Sequence, residues 1–148
     1  MRMKKLLIVC VCLFSVNAVC FADFHKPIEV NDLPSAARTT MRGFFPKEKV
    51  ALVKSEIGFF EKSYDVIFTN GTKIEFDRSG EWKEISCKGG ATVPANLVPA
   101  PIAKYVNEHH QGAKVIGIEK DHGGYEVKLS NKTELEFNKN CRLTDIDD

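Results

Sequence analysis

The sequence predicts an α+β fold: a tandem repeat of a helix plus a four-stranded antiparallel meander, with the helices packed on one face of the sheet. The first observation is an internal repeat, because residues 64–85 align without a gap on residues 125–146 with seven of 22 positions identical. The second is an alternation of apolar and polar residues within both segments, which is typical of half-buried strands. The third is a run of apolar residues at helical spacing upstream of each segment.

The sequence predicts a signal peptide at residues 1–22 and a first repeat unit at residues 23–87. A linker at residues 88–95 and a second repeat unit at residues 96–148 follow. Each unit begins with a helix, since Pro34 and Pro99 suit a first helical turn. The upstream halves of the two units match at an offset of 65 residues, whereas the later halves match at an offset of 61. The loop before Tyr125 is therefore four residues shorter than the loop before Tyr64.

The first 22 residues have the pattern of a secretory signal peptide. A basic stretch, MRMKK, precedes an apolar run, LLIVCVCLFSV, which is shorter than the roughly 20 residues of a transmembrane helix. Small residues at Cys20 and Ala22 favour cleavage after Ala22, and the alternatives are cleavage after Ala18 or a lipidated Cys20. We therefore expect a periplasmic or secreted protein whose mature chain has no integral membrane segment.

Four short strands are predicted in each unit, and their period of two divides the side chains between two faces. Tyr64, Val66, Tyr125 and Val127 belong to the face that is expected to pack against the helices. The opposite face is expected to contact solvent, as in other antiparallel sheets with one covered face. It supplies the candidate binding residues: Asp65, Ile67, Lys73, Glu75, Glu126, Lys128, Glu134 and Glu136.

Two related stretches, NGTKIEFD from Asn70 and NKTELEFN from Asn131, each place an Asn-x-Thr at a predicted turn. Asn70-Gly71 favours a type I′ turn, in which both central residues have positive φ. Lys132 fits that turn less well than glycine does, because a side chain makes positive φ unfavourable. The hairpin interpretation is favoured over a glycosylation acceptor.

The mature chain has nearly balanced charge. Arg2, Lys4 and Lys5 lie in the predicted signal peptide, so the 21 basic residues less these three leave 18 against 20 acidic residues. Binding to nucleic acid needs many Lys and Arg contacts to phosphate, so no nucleic-acid partner is expected. No glycine-rich phosphate loop precedes a predicted helix, and no cofactor is predicted.

Cys87 and Cys141 are the cysteines that remain after the signal peptide. In an oxidising compartment they either form one disulfide or stay as two separate thiols. The sequence leaves both options open, because it does not give the distance between the two residues.

The densest group of candidate metal ligands contains His109, His110 and His122 with Asp121. Adjacent residues of a helix point in different directions, so His109 and His110 are not expected to hold one ion. No serine lies in a Gly-x-Ser-x-Gly context, and paired carboxylates on a solvated sheet face are usually not catalytic. We therefore predict no catalytic residue, no metal site and no enzyme activity.

The first unit contains a pattern of prolines, turn residues and core residues: Leu33, Pro34, Phe45, Pro46, Val50, Val53, Tyr64, Val66, Phe68, Gly71, Ile74, Phe76, Asp77, Gly80, Trp82 and Ile85. This pattern resembles the PepSY-like family. The second unit departs from it at Lys132, Asn138, Cys141 and Leu143. The resemblance covers essentially the whole mature chain. It implies a secreted or periplasmic protein of a kind common in gut Bacteroidetes, with a fold similar to beta-lactamase inhibitory protein.

These observations favour a non-catalytic exported binding module that engages a protein partner in the cell envelope through the polar sheet face. One form of this hypothesis is an inhibitor or modulator of a protease or another hydrolase. The alternative is a periplasmic metal-binding protein or envelope enzyme that uses the histidine and carboxylate groups. The family resemblance does not decide between them, because a fold does not determine a function.

Overall fold

The computed structural model describes residues 24–148, so the predicted signal peptide and Cys20 lie outside the described residues. Nine strands form one antiparallel sheet in which each strand pairs with the next one in the chain. The described residues also form two α-helices, which confirms the predicted α+β class. The elements are β1 (Phe24–Pro27), α1 (Ser35–Phe44), β2 (Val50–Ile57), β3 (Lys62–Phe68), β4 (Lys73–Phe76), β5 (Trp82–Ser86), α2 (Ala100–His109), β6 (Val115–Asp121), β7 (Gly124–Leu129), β8 (Glu134–Asn138) and β9 (Leu143–Asp147).

The sheet is continuous across the boundary between the two predicted units, because β5 pairs directly with β6. Strand β1 is the one element of the sheet that was not predicted. It has four residues and ends at Pro27, so it shows too little alternation to be recognised. None of the helices in residues 24–148 is long and apolar enough to cross a membrane.

The hydrophobic core lies between the helices and one face of the sheet. Ala37 of α1 and Ile102 of α2 are fully buried in the same cluster as Val66 of β3. Ile85 and Ile118 are also buried, and they face each other across the β5–β6 pair. One core therefore joins the two predicted units.

Four irregularities in strand pairing interrupt the alternation of side chains. They lie between Val50 and Leu52, Glu75 and Phe76, Val115 and Gly117, and Glu136 and Phe137. A bulge sets two residues opposite one, so the period of two does not continue through it. Trp82 and Ile85 are consequently both buried, although they are three positions apart on β5.

Four hairpin loops share a type I turn followed by a left-handed residue. In the β3–β4 loop, Gly71 N–H donates to the carbonyl oxygen of Phe68, and Phe68 N–H donates to the carbonyl oxygen of Thr72. The left-handed residues of the four loops are Gly71, Gly80, Lys132 and Cys141. The predicted type I′ turn is wrong, because Asn70 does not have positive φ. Its side-chain Oδ1 instead accepts a hydrogen bond from Thr72 N–H.

Replacing Gly80 by alanine is expected to destabilise the protein by about 1–3 kcal/mol. The φ of Gly80 is +91°, and an added Cβ would lie 2.7 Å from Pro34 Cβ. Cys141 holds the matching place in the β8–β9 loop with a φ of 59°, so Cys141→Gly is expected to stabilise the protein by about 1 kcal/mol. Urea denaturation measures both variants, and shifts of the same sign would contradict this account.

Candidate functional site

The eight predicted binding residues all lie on the open face, which is the face of the sheet opposite to the helices. They form two rows that run across the strands. Asp65, Glu75, Glu126 and Glu136 belong to one row, and Ile67, Lys73, Lys128 and Glu134 belong to the next.

The first of these rows extends beyond the predicted residues and consists of seven directly opposed carboxylates on seven consecutive strands. We call it the acidic row: Asp65, Glu75, Glu84, Glu119, Glu126, Glu136 and Asp145. Neighbouring strands are about 4.8 Å apart, so the row extends over about 29 Å. Like charges in directly opposed positions destabilise a sheet. The stability of the fold therefore gives no reason for this arrangement.

Glu84, Glu119 and Asp145 are members of the acidic row that the sequence analysis missed. Bulges interrupt the β4–β5 and β8–β9 pairs and shift the alternation of side chains between the two faces. The faces assigned on β4 and β8 therefore do not predict which residues of β5 and β9 lie on the open face. A signal was nevertheless present, because the repeat alignment pairs Glu84 with Asp145 at the offset of 61 residues.

Lysines approach the row at two places, one beside β3 and β4 and the other beside β7. Lys73 Nζ lies 3.1 Å from Asp65 Oδ2 and 4.0 Å from Glu75 Oε2. Lys128 Nζ lies 3.4 Å from Glu134 Oε1 and 3.9 Å from Glu126 Oε1. At the β5–β6 pair, Glu84 and Glu119 stand directly opposite each other, and the charges of Lys128 and Lys83 offset only part of the rise in the pKa of Glu119.

Asp65 differs from the other members of the row, because its side chain is fully buried. Lys54 Nζ lies 3.3 Å from Asp65 Oδ2, and Lys73 Nζ approaches the same oxygen atom. Among the described residues, neither Oδ1 nor Oδ2 of Asp65 has a hydrogen-bond partner, so the two lysines contact Oδ2 as ion pairs. Asp65 therefore lies beneath the surface and pairs with two lysines that cover it. The prediction that Asp65 is an exposed contact residue is wrong.

Burial and neighbouring charges raise the pKa values of three glutamates in the row, Glu75, Glu119 and Glu126. For Glu119 the largest cause is burial, followed by the charge of Glu84. For the other two, burial is again followed by the charge of a nearby carboxylate. The nearest glutamate raises the pKa of Lys128. The open face is therefore a region where positive charge is favoured.

A shallow cavity of about 330 Å³ opens on the open face at the β5–β6 pair. Glu84, Glu119 and Glu126 line it together with Lys128. Gly117 forms its floor because it has no side chain to fill the space, and an added Cβ would lie 3.3 Å from Lys128 Cβ. The centre of the acidic row therefore lies beside a recess in the sheet surface.

A family model described as "Putative beta-lactamase-inhibitor-like, PepSY-like" matches residues 62–145, more than half of the chain. The chain belongs to the PepSY-like family. This confirms the resemblance that the sequence suggested. None of the curated proteins matches this PepSY-like protein.

Solved structures of three Bacteroides proteins resemble this PepSY-like protein over most of their length. A "putative calcium-regulated periplasmic protein" from Bacteroides thetaiotaomicron is 49% identical with a TM-score of 0.81, and the match covers 84% of this chain and 97% of that one. A "putative periplasmic protein" from Bacteroides vulgatus is 50% identical with a TM-score of 0.83, covering 86% and 99%. A second one from the same species is 37% identical with a TM-score of 0.78, covering 85% and 99%. The expected export to the periplasm is confirmed by these relatives.

The two cysteines and the histidine–aspartate group are the other candidate residues of this PepSY-like protein. Cys87 and Cys141 are free thiols in the structure. Burial raises the pKa of Cys87 to about 11, with a smaller contribution from Glu48, and this keeps the thiol protonated and unreactive at neutral pH.

Three of the candidate metal ligands, His109, His110 and Asp121, lie at the end of α2 and at the β6–β7 turn. The ring of His109 contacts that of Tyr105 at a tilt of 32° with centroids 4.4 Å apart, and His110 is the C-cap of α2. Asp121 Oδ1 accepts hydrogen bonds from the N–H groups of Gly123 and Gly124 at 2.7 and 3.0 Å. In the described part of the chain, no group of three or more His, Cys, Asp or Glu side chains is arranged to hold a metal ion.

Proposed function

We propose that this PepSY-like protein is a non-catalytic periplasmic binding protein that engages a positively charged protein partner through the open face. The acidic row supports this proposal most, because its opposed carboxylates oppose the stability of the sheet. A cationic partner removes that repulsion when it binds. The length of the row, about 29 Å, suits a macromolecule better than a small ligand, which needs an enclosed pocket.

The spacing of the row indicates the shape of the partner segment. Carboxylates recur about every 4.8 Å across the strands. An α-helix advances about 5.4 Å per turn, and a helix of about 20 residues is as long as the row. Lys or Arg residues three or four positions apart on such a helix form one stripe. A basic helix that lies across the strands can therefore place about one cation per strand.

In one form of the proposal, the cationic partner is a hydrolase, and the protein inhibits or modulates its activity. The description of the family model supports this form through its reference to beta-lactamase inhibitors. The similarity concerns the fold, so inhibition requires its own measurement. An equimolar amount of the protein is expected to lower the activity of the partner enzyme if the open face covers its substrate cleft.

We infer that calcium regulates the open face, because one relative is described as a "putative calcium-regulated periplasmic protein". Ca²⁺ prefers carboxylate oxygen atoms as ligands. Since residues 24–148 hold no compact group of metal ligands, we do not propose a preformed calcium site. We expect Ca²⁺ to associate loosely with the acidic row and to compete with the cationic partner.

We further propose that the fold is a tandem duplication in which both units build the acidic row. The left-handed loop residues support this, since Gly71 corresponds to Lys132 and Gly80 to Cys141, each 61 residues later. The row supports it too, because the same offset carries Glu75 onto Glu136. Each unit then contributes one half of the binding surface.

The test compares the exported protein with a row-neutral variant that carries Glu84→Gln, Glu119→Gln and Glu126→Gln. Both are immobilised and exposed to periplasmic proteins from cells that produce the protein. We expect the wild type to retain a partner that is released as NaCl rises from about 0.1 to 0.5 M, since salt screens exposed charges. The row-neutral variant is expected to retain at least about tenfold less of it, because it lacks the central charges.

The matched control carries Glu61→Gln, Glu81→Gln and Glu108→Gln, which change the net charge equally but lie off the open face. It is expected to retain the partner as the wild type does. Equal retention by the row-neutral variant would displace the proposed surface. Repeated absence of any retained protein would count against the function itself.

A further inference from the structure

A cavity on the helix side of the sheet lies away from the open face and is not used by the proposed function. We call it the arginine cavity. It has a volume of about 270 Å³ and is bordered by α1 and by the loop between α1 and β2. Met41, Phe45 and Phe68 form its apolar floor, and the two phenylalanine rings stack with centroids 5.5 Å apart. The cavity therefore has a firm apolar surface for a compact ligand.

Among residues 24–148, the charged side chains that line the arginine cavity are Arg38, Arg42 and Glu48. The two arginines are four positions apart on α1, so they are neighbours on one side of the helix, and like charges at this spacing destabilise it. Arg42 lies in the last turn, where the helix dipole favours a positive charge, but Arg38 lies one turn earlier. Two positive charges against one negative charge leave the lining net positive.

Arg38 has a hydrogen-bond donor that lacks an acceptor. Its Nε atom is buried and has no hydrogen-bond partner among the described residues. Buried polar groups are usually hydrogen-bonded, because an unpaired one costs free energy. Glu48 lines the same cavity, but neither residue forms an ion pair within the described part of the chain. The side chain of Arg38 is only half-buried, so a rotation about its terminal bonds turns Nε and one Nη toward the cavity.

The fold does not require the two arginines. Helix α2 has the same length as α1 and begins and ends 65 residues later. At this offset Arg38 and Arg42 correspond to Ala103 and Asn107, which carry no charge. A helix at this place in the fold therefore forms without the pair of positive charges, so the pair has another role.

We propose that the arginine cavity binds a small organic carboxylate with an apolar body, such as a medium-chain fatty acid. A carboxylate accepts two parallel hydrogen bonds from the Nε and one Nη of an arginine, which supplies the acceptor that Arg38 Nε lacks. Arg42 is exposed and adds a second positive charge at the entrance. The apolar body then covers Phe45 and Phe68. A ligand of about nine or ten non-hydrogen atoms fits the volume, at about 30 Å³ per water-sized group.

A bond from Arg38 to Glu48 is the alternative explanation of the unpaired donor. Glu48 is half-buried and lines the cavity, so a movement of its loop would bring the two charges together. The two explanations predict opposite effects of Glu48→Gln. If the cavity binds a carboxylate, this change removes a repelling charge and raises the affinity by about threefold. If Glu48 is the partner of Arg38, the change leaves the affinity unaltered and destabilises the protein as much as Arg38→Gln does.

Titration with octanoate tests the proposal, since this ion has a carboxylate and an apolar chain of suitable length. Two-dimensional NMR of the ¹⁵N-labelled exported protein follows the Nε–Hε signal of Arg38, which is identified by its loss in Arg38→Gln. We expect this signal to shift with a dissociation constant at or below about 1 mM. Arg38→Gln is expected to lower the affinity for octanoate, followed by backbone signals, at least about tenfold. The matched control is Arg142→Gln, an equal loss of charge on the exposed β8–β9 loop, which is expected to bind octanoate normally.

Further variants and probes make the test independent of folding. Arg42→Gln changes an exposed side chain and is expected to lower the affinity about threefold. The probe 1-octanol has the chain without the charge, and inorganic phosphate has the charge without the chain, so both are expected to bind at least about tenfold more weakly than octanoate.

The carboxylate assignment is overturned if octanoate does not bind at about 10 mM, or if Arg38→Gln binds it as the wild type does. Equal binding of 1-octanol or of phosphate also overturns it, as does the result for Glu48→Gln that the alternative predicts. The row-neutral variant is expected to bind octanoate as the wild type does, because its substitutions lie on the opposite face. Either proposal can therefore fail without the other.

Discussion

The row-neutral variant, Glu84→Gln with Glu119→Gln and Glu126→Gln, is expected to be more stable than the wild type at about pH 7, by about 1–2 kcal/mol. Each replaced glutamate stands opposite another carboxylate on both sides of its strand. Opposed like charges destabilise a sheet by a few tenths of a kcal/mol or more per pair, and the replacements relieve four such pairs. Urea denaturation of the two proteins measures the difference in the free energy of unfolding.

The pH dependence of this gain provides a second measurement. The folded-state pKa values of Glu119 and Glu126 are raised, first by burial and then by neighbouring carboxylates. The native state therefore binds more protons than the unfolded state between the ordinary carboxyl pKa, about 4.3, and the raised values. In that window the stability of the wild type falls as pH rises. The gain of the variant should be complete above the raised pKa values and should disappear below about pH 4.

The off-face variant, Glu61→Gln with Glu81→Gln and Glu108→Gln, is the control for a general effect of charge. It is expected to change stability by less than about 0.5 kcal/mol. A row-neutral variant that is less stable than the wild type would contradict the repulsion argument, as would a gain that persists in acid. A gain in stability together with a loss of partner binding is the combination expected of a surface that serves function at the expense of stability.

The sequence contains enough information to predict the side of the sheet on which a residue lies, but not its neighbours on other strands. The alternation in the second and third strands of each unit placed all eight candidate residues on the open face. The acidic row also depends on how seven strands are aligned with one another. That register is set by loops and bulges, and Glu84 and Glu119 meet only because β5 pairs with β6.

Two local predictions failed for physical reasons that the sequence does not show. The dipeptide Asn70-Gly71 is compatible with several hairpin loops, and the pairing of Phe68 with Thr72 selects the one with a single left-handed residue. Asp65 alternates as a solvent-facing residue should, yet Lys54 and Lys73 from the adjoining strands cover it. Long side chains from neighbouring strands can bury a residue that the pattern assigns to the surface.

The second large effect concerns this buried carboxylate. Replacing both Lys54 and Lys73 by methionine is expected to destabilise the protein by about 3–5 kcal/mol, because it leaves Asp65 buried and without a compensating charge. Methionine retains most of the apolar stem of lysine, so the loss measures the charge and not the packing. Thermal or urea denaturation gives the change in the free energy of unfolding.

The matched control is Lys128→Met, since the ion pairs of Lys128 with described residues are with the partly exposed Glu126 and Glu134. This variant is expected to lose less than about 1 kcal/mol, as exposed ion pairs contribute little. Adding Asp65→Asn to the double methionine variant is expected to restore most of its stability, because it removes the uncompensated charge. If Asp65→Asn brings no recovery, the lysines act through packing. If the recovery occurs, the charge of Asp65 holds Lys54 and Lys73 at the β3 end of the acidic row. Under the proposed function, these lysines repel a cationic partner from that end, so the partner binds to the rest of the row.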